Sequence, residues 1–167
     1  MEDFGHDGRV SWDHYYLNMS YNISKRSRDP STKVGAVIVS ADNQVVSQGY
    51  NGFPRGVENT EARWGTRPDK YNFIVHAERN AIYNAARQGK PTEGCKMYLF
   101  YNCCPCEQCT LAVIQAGITE VVLGTAPFPG VGKGQWYDTD GDSPVMLKES
   151  NVIIRQVTDW SEPDERS

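Results

Sequence analysis

Residues 96–124, KMYLFYNCCPCEQCTLAVIQAGITEVVLG, read as strand, helix, strand. Lys96 to Tyr101 is a six-residue run dominated by apolar and aromatic side chains, of strand length and strand composition. Cys106 to Ala116 follows as a helix that Gly117 stops, and Glu120 to Gly124 returns to β-branched residues. Working outward, two further β-type runs, Val34 to Val39 and Val45 to Tyr50, flank Ala41-Asp42-Asn43 and read as a hairpin. Alternating strands and helices after a hairpin imply an α/β fold of three layers, a mixed sheet of about five strands with helices on both faces.

The remaining segments fit around that frame. Ser11 caps a helix whose apolar positions Trp12, Tyr16, Met19 and Ile23 share one face, and Arg28-Asp29-Pro30-Ser31 ends it. Asn51 to Asn72 carries glycines, prolines and charges without periodicity, the mark of a functional or mobile loop. Ala77 to Arg87 is an Ala-rich helix closed by Gly89 and Pro91. A Gly/Pro-rich loop from Thr125 to Ser143 leads to a helical segment near Val145 to Glu149 and a last strand, Val152 to Val157. The tail SEPDERS reads as disordered. The expectation is one domain over 1–167, with its core at about 12–157 and flexible termini.

Composition narrows the function. Hydrophobic residues are 39% and charged residues 23% of the chain, ordinary globular usage. Seventeen Lys and Arg against 21 Asp and Glu give a net charge of −4, which argues against wrapping a polynucleotide. Apolar runs are far too short to cross a bilayer, and the start MEDFGHDG lacks a basic n-region, so a cytoplasmic protein is expected. Five cysteines without a secretory signal favour thiolate or metal chemistry over disulfides.

Two motifs carry that chemistry. His76-Ala77-Glu78 opens one helix and Pro105-Cys106-Glu107-Gln108-Cys109 opens the next. Cys106 and Cys109, three apart, share a face, and the positive end of a helix favours thiolates. His76 supplies a third ligand and leaves a fourth tetrahedral position for water, the mark of a catalytic zinc. Glu78 is then free to act as general acid and base. Taken alone, Cys-x-x-Cys also fits a redox pair, and Cys103 or Cys104 could complete an inert four-ligand knot. Pro105 and the extended geometry it imposes on Cys104 weigh against the knot. Cys95 reads as a small buried residue, His6 as a tail residue and His14 as a helix-surface residue, none with a role.

These residues together resemble the deoxycytidylate deaminase family, from about Trp12 to about Val157. The carrying segments are the two zinc motifs, RSRDPSTKVGAVIV (26–39), GYNGFPRG (49–56), and the GCKMYLF and QAGITEVVL stretches. The link from H-x-E with P-C-x-x-C to deamination belongs to that signature, not to the spacing. The resemblance implies a cytidine-deaminase-like fold and zinc-assisted attack of water on C4 of deoxycytidine monophosphate. Arg26 and Ser27 would grip the 5′-phosphate, Asn51 the sugar, the Ala77 N–H and Cys104 carbonyl the base edge, and Tyr137 would stack on the pyrimidine. Gly49, Tyr50, Asn51 and Gly52 would form an allosteric site for deoxycytidine triphosphate as activator and thymidine triphosphate as inhibitor, with Mg²⁺ beside the triphosphate. A homohexamer is implied as well. The chain departs from the usual pattern at Asn102-Cys103-Cys104. The alternatives are a deaminase of a free nucleoside or RNA, and a non-catalytic zinc or nucleotide-binding module.

Overall fold

A computed structural model describes residues 8–65, 69–128 and 141–163. Its five strands are β1 (Gly35–Val39), β2 (Val45–Tyr50), β3 (Lys96–Tyr101), β4 (Glu120–Ala126) and β5 (Ile153–Gln156), in the sheet order β2-β1-β3-β4-β5. β1 runs antiparallel to both β2 and β3, whereas β3, β4 and β5 are mutually parallel. The mixed five-stranded sheet expected from the alternation of elements is therefore present. β1 is buried at every position because it lies inside the sheet and is covered on both faces.

The helices are α1 (Trp12–Ser24), α2 (Glu61–Gly65), α3 (Asp69–Phe73), α4 (Ala77–Arg87), α5 (Glu107–Gln115) and α6 (Asp142–Glu149). One face of the sheet packs Ala77 and Ala81 of α4, Val113 of α5 and Leu147 of α6 against alternate strand residues such as Ile38, Met97 and Val121. The other face packs Tyr16 and Leu17 of α1, together with Trp160, against Val37, Tyr98 and Val122. Period-two alternation in the strands sorts the two cores.

Ser11 caps α1 as expected, its side chain accepting from the His14 N–H. The face of α1 that is buried differs from the expected one. Trp12 is 54% exposed, and the buried line runs through His14, Tyr16, Leu17, Ser20 and Ser24. Small polar residues occupy it because the helix lies directly on β1: a Cβ on Gly35 would stand 2.0 Å from the Ser20 carbonyl oxygen. The Ser20 hydroxyl donates to the Gly35 carbonyl at 2.7 Å and accepts the Phe100 N–H at 3.2 Å, so it stitches helix to sheet. A hydrophobicity pattern does not register serines used in this way. His14 is likewise not on the surface: it is 4% exposed, with Nε2 3.4 Å from the Asp159 carboxylate. The segment after β5 covers it, and packing continues to Trp160, whose indole donates to Asn18 at 2.8 Å.

The aperiodic stretch after Asn51 holds two five-residue helices, too short to show a 3.6-residue period. Phe53 stacks on Trp64 with centroids 4.2 Å apart, giving this excursion a small core of its own. Among the described residues, no helix is long and apolar enough to cross a membrane.

Candidate active site

Strand ends bring the two motifs together. Gly52 bridges Val75 in antiparallel fashion, which holds the entry to α4 against the end of β2. His76 then takes the N-cap position with extended backbone, and no side-chain hydrogen bond caps the helix. The approach of β2 to α4 depends on Gly49, where a Cβ would stand 2.4 Å from the Ala81 nitrogen and 2.6 Å from the Ala77 carbonyl oxygen. Glycine is required there by close approach, and the small side chains of Ala77, Ala81 and Ala85 fit the same seam. On the neighbouring unit, β3 ends at Tyr101 and Cys106 becomes the N-cap of α5. Cys106 is thus just outside the helix and Cys109 in its first turn, two positions that face each other across a helix start.

The three donor atoms converge. His76 Nδ1 lies 3.5 Å from the Cys106 sulfur and 3.5 Å from the Cys109 sulfur, and all three atoms fall within 4.8 Å of one another. Tetrahedral zinc with its usual bond lengths to sulfur and nitrogen separates those ligand atoms by about 3.6 Å, so the donor set fits that ion. Without a metal, hydrogen bonds from Cys109 and with His76 hold the Cys106 thiol far below its ordinary range. The Cys106–Cys109 hydrogen bond and burial push Cys109 upward. Cys103 and Cys104 line the adjoining cavity but stand outside the donor cluster. Burial raises them to about 11 and about 12, which keeps both as neutral thiols. The Cys103 thiol donates to the Cys104 carbonyl at 3.2 Å. Cys95 is buried at the edge of β3.

Glu78 occupies the first turn of α4, 7% exposed, and lines a cavity of about 730 Å³ with His76, Ala77 and Cys106. Burial raises its carboxyl above the ordinary range, against the opposing pull of its own backbone N–H and of His76. A carboxyl with raised proton affinity beside three metal donors suits general acid–base work. Leu99, Tyr101 and Phe128 give the cavity an apolar wall, Tyr101 and Phe128 meeting edge to face at 5.0 Å. Ser143 of α6 also lines it, with a buried hydroxyl that has no hydrogen-bond partner among the described residues.

The other sequence-expected residues are dispersed. Asn51 lines the cavity, but its amide oxygen accepts from the Val34 N–H at 2.8 Å and its amide nitrogen donates to the Thr32 carbonyl at 2.8 Å. The Ser27 hydroxyl is buried, donating to the Asn51 carbonyl and accepting the Asp29 N–H. Arg26 is exposed beyond α1 and is not part of the lining. Tyr50 is exposed on the edge strand. Tyr137 lies outside the described residues. Sequence reading passed over a buried ion pair in the cavity wall, Lys70 with Asp29, at 3.1 Å. Asp29 sits in a legible turn motif, but a lysine in a polar, aperiodic stretch sends no signal.

An open mixed α/β sheet that brings three metal donors and a buried carboxyl together at its strand ends defines an α/β protein with a candidate metal site. Residues 10–125 match the model of the cytidine and deoxycytidylate deaminase zinc-binding region, and the chain belongs to that family. It is 37% identical to the deoxycytidylate deaminase of Mus musculus over 159 residues, covering 91% of this chain and 83% of that one. The Homo sapiens deoxycytidylate deaminase is 36% identical over 122 residues, 70% of this chain and 66% of that protein. The fold matches the dCMP deaminase of cyanophage S-TIM5 in complex with dCMP and dUMP, with TM-score 0.65, 24% identity and coverage of 86% and 94% of the two chains.

Proposed function

We propose that the chain is a zinc-dependent hydrolase that converts deoxycytidine monophosphate (dCMP) to deoxyuridine monophosphate and ammonia, supplying deoxyuridine monophosphate for thymidylate synthesis in the cytoplasm. The observation that carries this reading is the convergence of His76, Cys106 and Cys109 beside the buried carboxyl of Glu78, in a cavity large enough for a nucleotide. The names of the mouse and human relatives and the nucleotides bound to the cyanophage protein support the choice of substrate.

Zinc held by the three donors supplies Lewis acidity that brings the ionisation of water towards about pH 7. Glu78 takes the proton that water gives up and delivers it to N3 of the cytosine ring. It then takes the proton of the new C4 hydroxyl and passes it to the amine as the C–N bond breaks, so one carboxylate serves both transfers, C4 becomes a carbonyl and ammonia leaves. The first N–H of α4, at Ala77, and the carbonyl of Cys104 hold the base edge, and Asn51 faces the sugar. Of the expected phosphate grip, Ser27 has its hydroxyl engaged elsewhere, which leaves the exposed guanidinium of Arg26.

Regulation by the two triphosphates, with Mg²⁺, and a homohexameric state belong to the same reading and rest on the family resemblance at Gly49, Tyr50, Asn51 and Gly52. Gly49 serves as a packing contact, so the exposed ring of Tyr50 is the group there best placed for a nucleotide. Metal analysis with an ultraviolet assay of dCMP conversion, with and without each triphosphate, tests the whole. One zinc per chain and conversion of dCMP are expected. Bound zinc without ammonia release, or conversion of deoxycytidine alone, would overturn the assignment.

A further inference from the structure

Lys70 has no part in the reaction as derived, yet it sits in the cavity wall. It is the one Lys or Arg among the described residues that line the cavity. The other charged carboxyl-bearing residues of that lining are Asp29, Glu78 and Glu107, and two cysteine sulfurs of the metal cluster lie beside them. A mononucleotide brings a phosphate into this surrounding, and a dianion in a partly desolvated cavity needs a cation against it.

The geometry prepares Lys70 for that task. Its ammonium lies 3.1 and 3.2 Å from the two Asp29 oxygens, with both side chains almost fully buried. The Asp29 carboxylate is itself well supplied: it accepts the backbone N–H groups of Ser31 at 2.8 Å and Thr32 at 3.2 Å, and faces the Asn51 amide at 3.5 Å. Asp29 therefore holds the ammonium rather than competing for an incoming anion. The further contact of Lys70, to the Ser31 hydroxyl, is 3.5 Å, the outer limit of a hydrogen bond, so that N–H is available to a stronger acceptor. Ser31 and Thr32 line the same wall.

We propose that Lys70 is a specificity-determining residue that reads the substrate's 5′-phosphate, fixed in place by Asp29 and assisted by the hydroxyls of Ser31 and Thr32. The inference rests on the reading of the chain as a nucleotide deaminase. It moves the main phosphate contact from Arg26, outside the cavity lining, to a lysine within it.

The test compares dCMP with deoxycytidine, by calorimetric binding and by kcat/KM, in the zinc-loaded protein and three variants. Lys70→Met alone strands a buried carboxylate, so the informative variant is the double Asp29→Asn/Lys70→Met, in which the Asn oxygen still accepts the Ser31 and Thr32 N–H groups. The preference for dCMP over deoxycytidine is expected to shrink about 10–100-fold in the double variant, with deoxycytidine binding unchanged. Lys70→Arg should retain most of the preference. Equal weakening of both ligands would mean a merely structural pair and overturn the proposal, as would an intact preference in the double variant with its loss in Arg26→Ala. A wild-type protein that prefers dCMP in binding but releases no ammonia would end the deaminase reading, while the preference still judges Lys70.

Discussion

Two polar clusters of this molecule, the Arg155 network and the surroundings of Glu78, treat charge in opposite ways. At the β4–β5 side, Arg155 donates to both oxygens of Asp13, at 2.7 and 2.8 Å, and through Nε to Glu120. Lys96 reaches Glu120 at 3.1 Å, and the Tyr98 hydroxyl donates to Asp13 at 2.9 Å. Every charge there is matched, and the network ties α1, β3, β4 and β5 together. In the cavity, by contrast, Glu78 is buried without an ion pair to any Lys or Arg among the described residues, and Ser143 keeps an unspent hydroxyl. Matched charge holds a fold; groups left unmatched are free to act on something else.

The largest effect that separates the two clusters is expected at Glu78. Glu78→Gln keeps the shape and the metal donors but cannot accept a proton, so turnover should fall by at least about 10³-fold. Zinc content should stay at the wild-type level. The thermal midpoint should hold or rise, because a poorly solvated carboxyl has been removed. Steady-state kinetics, metal analysis and a melting curve check the three parts. A large loss of stability would erase the contrast with the Arg155 network.

Arg155→Met should do the reverse, leaving kcat/KM intact and lowering stability. The residue is about a third exposed, so the cost is about 1–2 kcal/mol, less than for a fully buried pair. Its pH dependence has a definite sign. Burial alone would raise the Asp13 carboxyl, but Arg155, with help from Tyr98, outweighs burial and holds it below its ordinary value of 3.8. A depressed folded-state pKa gives stability that is complete above the ordinary value and is lost as pH falls through the folded one. The gap between wild type and Arg155→Met should therefore be widest near neutrality and narrow below about pH 4, as urea unfolding at several pH values would measure.

How much of this was legible in the chain follows from the same distinction. Strands made of short apolar runs and the caps at Ser11 and Gly117 act over a few residues, and the sequence displays them directly. The donor cluster was legible because its chemistry depends on residue type and spacing, and N-cap and first-turn positions face each other in any helix. What stayed hidden were pairings across distance. Ser20 against Gly35 rotated the buried face of α1, His14 was covered by a segment 145 residues later, and Lys70 met Asp29 across 41 residues. Each depends on contacts that no local pattern encodes. Ser27 shows the converse hazard: a hydroxyl in the motif of a phosphate grip is spent inside the fold.

The smallest effect is also the sharpest version of the contrast, because it compares two buried serines. Ser20 spends its hydroxyl twice, on Gly35 and on Phe100, and Ser20→Ala would leave a buried β3 N–H without a partner. That should cost about 1–3 kcal/mol with catalysis unaltered. Ser143 spends its hydroxyl on nothing among the described residues, so Ser143→Ala should leave stability unchanged or raise it by less than about 1 kcal/mol. Chemical denaturation of the two variants side by side measures the difference. A loss in Ser143→Ala as large as in Ser20→Ala would mean that the hydroxyl beside the cavity is already committed to the fold, and the division between a saturated framework and an unsaturated pocket would fail at that point.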